Sequence, residues 1–439
     1  WLDNFKIRLS GGSMGNGNVD PYSYTSEMTV ATASDIVLGG GLPSYTTVGS
    51  TVPVSLTWEK STTYDLGLDL DFLNNRLSFS GDYYRRYTTD MYTPSISLPS
   101  VYGTTSPKGN NAELRTTGWE LSLTWRDSFK LGGKPFDYSI KAMVWDNRTV
   151  VTKYENATRS LGTLKGYIQN GGSPSDFYEG MELGEMWGYT VAGLFRDQAD
   201  IDSSATHDFT QASDKVTRPG QVKIADLDHN GNIDPGAFTA DDHGDLSIIG
   251  NINPHYMFGV NLAANWNGIG LSVFLQGVMK RDWYPSPDSG YFWGKYARPF
   301  MWVLGIHNYT DDMYSKEKNN WDTAYWPRMT TYQSNSSYSW TKLLEIPNTR
   351  YKQNAAYLRV KNIQVDYTFP KALCQKIRLG GLKIYLSGEN LFTFTPLHKY
   401  APNFDPEALG YDTDFSSTAG DGYTYPVLKS VTLGVNITF

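Results

Sequence analysis

The residues best suited to hold a metal ion lie in the stretch ADLDHNGNIDP, residues 225–235. A calcium loop places oxygen ligands at its positions 1, 3, 5, 7 and 9, and a glycine at position 6, where the chain turns sharply. Gly231 occupies that sixth position. The predicted calcium ligands are therefore Asp226, Asp228, Asn230, Asn232 (through its carbonyl) and Asp234.

The twelfth position of this loop does not follow the calcium pattern. It holds Ala237, where a calcium loop carries a bidentate glutamate. Asp241, Asp242 or Asp245 would have to supply that carboxylate. The same spacing of Asp and Asn also favours a run of Asx turns that needs no ion. The sequence leaves both interpretations open, and calcium is the one cofactor it suggests.

Aromatic residues are concentrated between residues 282 and 354, within a long predicted loop. Trp and Tyr rings offer flat apolar faces to sugar rings or peptide side chains, while their N–H and O–H groups stay hydrogen-bonded. Arginine adds a forked donor for carboxylates or hydroxyls. The predicted substrate-binding residues are Trp283, Tyr284, Trp293, Arg298, Trp302, Trp321, Trp326 and Arg328. The alternative interpretation is that these rings pack the loop against itself or form an interfacial belt.

Other kinds of chemistry find little support in the sequence. The six histidines lack the spacing of a zinc site, no nucleophile-elbow motif is present, and GGSMGNGN is not followed by a helix or a lysine. An enzyme is therefore not predicted. The net charge of −7, without a cluster of Lys and Arg, argues against a nucleic-acid partner. The single cysteine, Cys374, excludes an internal disulfide framework.

The elements that carry these loops are strands with one apolar and one polar face. In SVTLGVNITF, residues 430–439, every second residue is apolar, and TTYDLGLDLDF, residues 62–72, alternates in the same way. About ten such strands are predicted. One face is expected to carry Leu66, Leu68, Leu70, Val435, Ile437 and Phe439, and the opposite face Asp69 and Asn436. A soluble sandwich would bury that apolar face, whereas a membrane barrel would turn it toward lipid.

The lengths of the connections favour the membrane barrel. Short connections are predicted around residues 73–75, 127–135, 267–269 and 370–381, and they alternate with long ones at roughly 14–60, 91–112, 152–254, 282–354 and 396–425. Long loops on one side and short turns on the other are typical of bacterial outer-membrane barrels. The sequence therefore predicts an all-β, antiparallel transmembrane β-barrel. Its large extracellular loops would be 152–254 and 282–354, and its carboxy terminus would be periplasmic.

Several stretches, in this order, resemble the SusC/RagA family of TonB-dependent outer-membrane transporters. They are LTWEKSTTYDLGLDLDFLNNRLSFSGDYYRRYTTDM, ADLDHNGNIDP, LSIIGNINPHYMFGVNLAANWNGIGLSVFLQG, AYWPR, NAAYLRVKNIQVDYTFP and LSGENLFTFT. The resemblance implies TonB-dependent import of bulky oligosaccharides or peptides, with a SusD-like surface lipoprotein as the lid. It also implies a plugged barrel of about 22 strands, surrounded by membrane lipid and lipopolysaccharide.

Nothing in the chain resembles the plug or the TonB-binding segment of that family. Residues 1–439 are therefore expected to be the carboxy-terminal portion of the barrel, with the plug absent from this chain and TonB reached through a further amino-terminal region. The remaining barrel strands and the plug are expected partners. An extracellular β-rich carbohydrate-binding protein that uses the same aromatic loops stays open as the alternative.

Overall fold

The computed structural model describes residues 1–17, 25, 28–47, 56–94, 108–161, 177–207, 217–285, 292, 312–328, 347–409 and 425–439. In chain order its strands are β1 (Leu2–Asn16), β2 (Thr29–Thr32), β3 (Ser44–Thr47), β4 (Glu59–Phe72), β5 (Leu77–Pro94), β6 (Lys108–Leu131), β7 (Lys134–Lys153), β8 (Glu185–Tyr189), β9 (Val191–Leu194), β10 (Thr206–His207), β11 (Val222–Ile224), β12 (Asn232–Ile233), β13 (Leu246–Asn251), β14 (His255–Trp266), β15 (Ile269–Lys280), β16 (Asp282–Trp283), β17 (Gln353–Asn354), β18 (Tyr357–Thr368), β19 (Gly381–Phe394) and β20 (Ser430–Thr438). The helices are short: Gln198–Asp202, Lys371–Lys376 and the 3-10 helix Pro396–Lys399. Within the described ranges, no helix has the length and apolar character needed to cross a membrane.

Ten of these strands form one antiparallel sheet. Their spatial order is β1-β4-β5-β6-β7-β14-β15-β18-β19-β20, so each long strand pairs with the next long strand along the chain. Sequential pairing is what short antiparallel connections produce. The prediction of about ten long strands in one continuous antiparallel sheet is confirmed. Among the described strands, no pairing joins β1 to β20.

The short connections all lie at one end of the sheet, here called the turn end; the opposite end is the loop end. At the turn end, Asn74 and Asn75 adopt left-handed backbone conformations, with φ of 58° and 60°. Asparagine tolerates this conformation because its short side chain can hydrogen-bond locally. Gly132 and Gly133 play the same part in the next turn, with φ of 59° and 76°. The predicted alternation of short turns with long loops is therefore present.

One face of the sheet is apolar across nine strands. The register aligns Phe5, Leu70, Phe79, Leu123, Ala142, Val260, Leu275, Val360 and Phe392 in one row. Leu66, Val435 and Ile437 on this face are 49%, 54% and 49% exposed. Asn436 lies on the opposite face, where it pairs with Lys383. A two-sheet sandwich would have buried these apolar side chains, so that alternative is wrong.

The opposite face is polar and carries an ion-pair network around Arg8. The guanidinium binds Asp69 at 2.9 Å (Nε to Oδ2) and Asp82 at 2.8 Å (Nη1 to Oδ1). Gly67 lies between Arg8 and Asp82 in the register. A Cβ atom at residue 67 would stand 2.5 Å from Cζ of Arg8, so glycine leaves the room that the arginine needs to cross. Asp69 therefore lies on the polar face, opposite to its leucine neighbours.

Aromatic residues border the apolar face at both ends. Near the turn end, Phe129 pairs with Phe136, and Trp266 follows in the same row. Near the loop end, Trp119 pairs with Tyr83. Trp119 and Phe129 are about 34 Å apart along β6, at roughly 3.4 Å per residue. At the usual barrel tilt of about 40° this gives a height of about 26 Å, which matches the apolar band of an outer-membrane barrel, about 25 Å tall.

The described parts of three long loops, 152–254, 282–354 and 396–409, pack together at the loop end as one body, here called the loop lobe. Within the described residues, four two-stranded sheets organise it: β8 with β13, β9 with β11, β10 with β12, and β16 with β17. Its hydrophobic core contains residues of all three segments, 152–254, 282–354 and 396–409. The buried core residues from these segments are Leu161, Tyr178, Met181, Met186, Trp187, Tyr189, Leu194, Val222, Ile224, Ile233, Leu246, Ile252, Trp283, Tyr284, Phe292, Met313, Tyr314, Ala324, Trp326, Tyr351, Leu397, Ala401, Phe404 and Leu409. The two long loops thus share one core, which the sequence did not predict.

Candidate functional site

The acidic loop of residues 226–234 folds as a turn whose side chains approach one another. Gly231, at the predicted sharp turn, has a φ of 83°, which glycine adopts readily. Its N–H donates to Oδ2 of Asp226 over 3.0 Å. One carboxylate oxygen from each of Asp226, Asp228 and Asp245 lies within 4.8 Å of the other two. Of the three carboxylates considered for the missing twelfth ligand, Asp245 is therefore the one that joins this cluster.

The remaining predicted ligands are tied to each other by hydrogen bonds. Nδ2 of Asn230 donates to Oδ2 of Asp228 over 3.0 Å and to Oδ2 of Asp234 over 3.3 Å. Asn232 lies in strand β12, and its N–H donates to Oδ1 of Asn230 over 2.7 Å. The contact between Asn232 and Asn230 is the kind of Asx-turn contact that the ion-free interpretation predicts. The loop can therefore hold its shape through its own side chains.

The surroundings of Asp245 and Asp226 nevertheless suit a hard cation. Asp245 is fully buried, and burial, together with the neighbouring carboxylates, raises its pKa above the ordinary value. Its two oxygens accept hydrogen bonds from the N–H groups of Leu227 (2.6 Å) and Asp234 (2.9 Å). Oδ1 of Asp226 is buried and has no hydrogen-bond partner among the described residues. A buried carboxylate oxygen without a donor is costly unless a cation or a water molecule completes its contacts.

Three of the eight predicted substrate-binding residues form the aromatic core of the loop lobe. Trp283, Tyr284 and Trp326 are only 6%, 2% and 1% exposed. Phe292 packs edge-on against both tryptophans, with ring centroids 6.2 and 5.4 Å apart. Trp326 also stacks on Tyr351 at 5.6 Å. Rings enclosed in this way present no free face, so for these three residues packing replaces substrate contact.

The other predicted binding residues differ in their surroundings. Trp321 is half-buried at the margin of the hydrophobic core, and Arg328 is half-buried on the same segment. Trp293, Arg298 and Trp302 lie outside the described residues. Contact between these five residues and a substrate stays a prediction.

Polar residues that the sequence did not single out hold the aromatic loop in place. Asn348 donates from Nδ2 to the hydroxyl of Tyr284 over 2.8 Å, and it is fully buried. Arg350 donates from Nε to the carbonyl of Tyr325 over 2.9 Å. Isolated polar residues in a long loop carry no periodic signal, so no pattern could have distinguished them from solvent-exposed ones.

A buried ion-pair cluster fastens the loop lobe to the polar face of the sheet. Arg359 on β18 is 2% exposed, and it pairs with Asp405 (Nη2 to Oδ1, 2.5 Å) and Glu407 (Nη1 to Oε2, 3.0 Å). Lys361, on the same strand, reaches Oε2 of Glu407 at 2.8 Å. The segment 396–409 is therefore held against the polar face by charge as well as by its apolar side chains.

A buried carboxylate also organises the 152–254 loop. Glu185 accepts hydrogen bonds from Nε1 of Trp187 (2.9 Å) and from the hydroxyl of Tyr178. Burial raises the pKa of Glu185, because the ionised form loses hydration. Where this loop meets the sheet, the buried pair His255 and Asp146 lies at 2.8 Å. Polar contacts thus hold residues 178–187 of this loop together and join the two strands that flank it.

The chain matches the family described as TonB dependent receptor-like, beta-barrel over residues 3–227. TonB-dependent receptor P3 of Formosa agariphila is 26% identical over all of this chain, which covers 40% of that receptor. TonB-dependent receptor SusC of Bacteroides thetaiotaomicron is 24% identical, again over all of this chain and over 38% of its own length. The chain thus spans about 40% of the length of the curated relatives that it matches.

The fold is also that of a solved structure. The RagAB peptide transporter aligns with the whole chain at a TM-score of 0.66 and 20% identity, and this chain covers 41% of it. The exposed apolar face, the polar face and the alternation of turns and loops are those of an antiparallel transmembrane β-barrel. Because the family match extends over half of the chain, the chain belongs to the TonB-dependent receptor-like β-barrel family.

Proposed function

We propose that this chain forms part of a TonB-dependent importer that carries bulky nutrients, either oligosaccharides or peptides, across the bacterial outer membrane. The observation that supports this most is the sheet itself: in a member of this receptor family, it combines an apolar face suited to lipid with a polar face of ion-paired side chains. A closed sheet of this kind encloses a polar passage. In this proposal the protein selects the nutrient and lets it pass, and it does not catalyse a reaction of the nutrient.

An extracellular carbohydrate-binding protein, the alternative from the sequence, agrees less well with this sheet. Val431, Leu433 and Leu123 on the apolar face are 69%, 73% and 47% exposed. Contiguous apolar surfaces of this extent are rare on soluble monomers and mark contact with a partner or a membrane. Purification that needs no detergent would favour the alternative.

The proposed importer is larger than this chain, which covers about 40% of its matched relatives. We infer that further strands of the same protein pair with the available edges of β1 and β20. Unpaired backbone groups in lipid cost several kcal/mol each, which makes such pairing necessary. The same additional region would supply the plug and the contact with TonB. Residues 1–439 would then be the carboxy-terminal portion of the barrel.

The orientation of the barrel is part of the proposal. The loop end, with 152–254 and 282–354, would be extracellular and would meet lipopolysaccharide, because outer-membrane barrels carry their long loops outside. The turn end and Phe439 would be periplasmic. The two aromatic rows of the apolar face would lie at the two membrane interfaces.

The hairpin of residues 28–47 is the proposed docking surface for a SusD-like lipoprotein lid. Strands β2 and β3 pair within it, between β1 and β4 at the loop end. Its apolar side chains, 48% to 72% exposed, are Met28, Val30, Ile36, Val37, Leu38, Leu42 and Tyr45. Exposed apolar clusters on a folded protein mark partner surfaces. A lipoprotein at the outer surface would meet the hairpin directly.

Replacing Val30, Val37 and Leu38 together by serine in the full-length transporter is expected to release the lipoprotein, because the apolar contact area is lost. Co-purification from native membranes in mild detergent measures this, and uptake of the cognate nutrient by cells measures the consequence. The affinity for the lipoprotein should fall by about tenfold or more, equivalent to about 1.4 kcal/mol of binding free energy, and uptake should fall with it. Uptake by the unchanged transporter should disappear in cells that lack TonB.

The control for the hairpin is a pair of exposed apolar residues in the loop lobe. Leu227 and Ile248 are 42% and 54% exposed, and their replacement by serine should preserve both co-purification and uptake. A hairpin variant that still carries the lipoprotein would contradict the docking surface. Undiminished uptake without TonB would contradict the importer itself.

We also propose that the acidic loop binds Ca²⁺. The ligands would be Asp226, Asp228 and Asp245, joined by Asn230, Asn232 and Asp234. The buried Oδ1 of Asp226, which has no donor among the described residues, supports this assignment. A bound ion would neutralise the clustered carboxylates and stabilise the loop lobe.

Asp226→Asn is expected to abolish stabilisation of the full-length protein by calcium. The protein is first freed of calcium with a chelator. Calcium added to a concentration of about 100 times its Kd should then stabilise the native state by about 2.7 kcal/mol, which raises the Tm. The effect should weaken as the pH falls through the raised pKa of Asp245, because protonation removes a ligand. Asp242→Asn, outside the carboxylate cluster, should keep the response. A Tm that saturating calcium leaves unchanged would show that the loop is only a turn.

A further inference from the structure

Arg328 occupies a fixed position in the loop lobe, two residues after the buried Trp326. Its backbone N–H donates to the carbonyl of Gly220 over 2.8 Å. Gly220 follows Pro219 in a tight turn, with a φ of 82°. The ring of Tyr314 stands 2.1 Å from the point where a Cβ of residue 220 would lie, so this turn requires glycine. The Arg328 side chain therefore starts from an ordered backbone.

The guanidinium of Arg328 makes few contacts for a half-buried arginine. Nη1 lies 3.4 Å from the carbonyl oxygen of Pro219, beyond the usual range of such hydrogen bonds. By comparison, Arg281 donates to two backbone carbonyls at 2.7 and 3.1 Å, and Arg359 pairs with two carboxylates. A guanidinium has five N–H donors. Most donors of Arg328 thus have no acceptor among the described residues.

The electrostatic surroundings of Arg328 are unfavourable for a lone cation. Burial lowers its pKa from the ordinary arginine value, and the neighbouring cation Arg218 lowers it further. Arginine still carries its charge, because its ordinary pKa lies far above neutral pH. A partly buried charge without a counter-ion is costly, and an anion at this position would remove the cost.

We propose that Arg328 binds a carboxylate group of the imported compound. The proposal rests on the import function proposed above, and it adds the chemistry that the cargo must present at this position. A planar guanidinium with unused donors matches a carboxylate in bidentate geometry. An acidic oligosaccharide and an acidic peptide both carry that group, so the carboxylate defines the ligand.

Isothermal titration of the detergent-solubilised full-length transporter tests the site. The probes are tetragalacturonate and tetraglutamate, the latter with an acetylated amino end and an amidated carboxyl end. Each is compared with a neutral tetramer that lacks carboxylates, maltotetraose or the equally blocked tetra-alanine. At least one acidic probe is expected to bind more tightly than its neutral counterpart. Arg328→Gln should weaken that binding by about tenfold or more and leave neutral probes unaffected. The acidic probe that responds identifies the source of the carboxylate.

Lys316→Gln is the matched control, because it removes one positive charge from an exposed position of the same segment, 312–328. Arg328→Lys keeps the charge without the fork and should bind with intermediate strength, at an unchanged Tm. Equal losses in Arg328→Gln and Lys316→Gln, or no preference for either acidic probe, would overturn the assignment. Uptake by cells is measured separately, so an acidic probe that binds without being imported contradicts the importer and not the site.

Discussion

Leu123→Arg is expected to destabilise the membrane-inserted protein by about 2–4 kcal/mol, the cost of an arginine near the midplane of a barrel's lipid face. Leu123 is 47% exposed, and in water an exposed leucine could be replaced at a cost of about 0.5 kcal/mol or less. The environment of the apolar face therefore decides the size of the effect. Leu123 lies within one residue of the midpoint between Trp119 and Phe129, where the cost should be largest.

Asn261→Arg is the matched control for this prediction. Asn261 is exposed on the polar face and pairs with Lys141, within one residue of the height of Leu123. An arginine there would meet water beside Lys141, so the free energy of unfolding should fall by about 1 kcal/mol or less, the usual cost of like charges on paired strands. Urea unfolding of the full-length protein in lipid vesicles gives both values. Equal costs for the two arginines would mean that the two faces meet the same medium, which would contradict the barrel in its membrane.

Arg359→Met is expected to loosen the segment 396–409 by about 3–5 kcal/mol, the usual cost of removing one partner from a buried ion pair. The change leaves Asp405, 8% exposed in its side chain, facing an uncharged methionine. Lys361 also pairs with Glu407, but the lysine side chain is 24% exposed. Because a partly exposed ion pair contributes little, Lys361→Met should cost about 1 kcal/mol or less.

Hydrogen exchange at the amides of Ala401 and Phe404 measures the effect of Arg359→Met, because both donate to carbonyls within the segment. The expected opening is local, so these amides should lose protection while those of β18 keep theirs. If the arginine and lysine variants lose equal protection, Arg359 is no stronger an anchor than a surface charge. A loss spread over the whole sheet would instead place the cluster in the core of the fold.

The sheet could be predicted from the sequence because the residues that determine each strand and each short turn are close together in the chain. A period of two fixes which side chains share a face, and residues such as Asn74 and Asn75 mark the turns by their tolerance of positive φ. The same alternation cannot show which polar residue will be buried. Arg359 stands in an ordinary polar position of β18 and is buried only because a segment some forty residues later folds onto it.

The loop lobe could not be predicted because its contacts join distant parts of the chain. The N–H of Tyr189 donates to the carbonyl of Pro347 over 2.9 Å, and nothing near either residue indicates the pairing. Aromatic density predicted a binding loop, but a ring such as Trp326 can serve equally as core. For the carboxylate that completes the acidic cluster, the sequence offers three candidates, Asp241, Asp242 and Asp245. The left-handed glycines 236 and 244 shape the chain that brings Asp245 into it.

The shared core of the loop lobe has a consequence for evolution and for engineering. Tyr178 and Leu246 from one loop are packed into the same core as Trp326 and Tyr351 from the other. A loop transplanted alone from a relative would arrive without the surface that its apolar side chains were selected to fit, and overpacking or cavities would follow. New loop sequences should therefore be inherited as matched pairs of loops. A chimera that exchanges both loops together has the better prospect of folding.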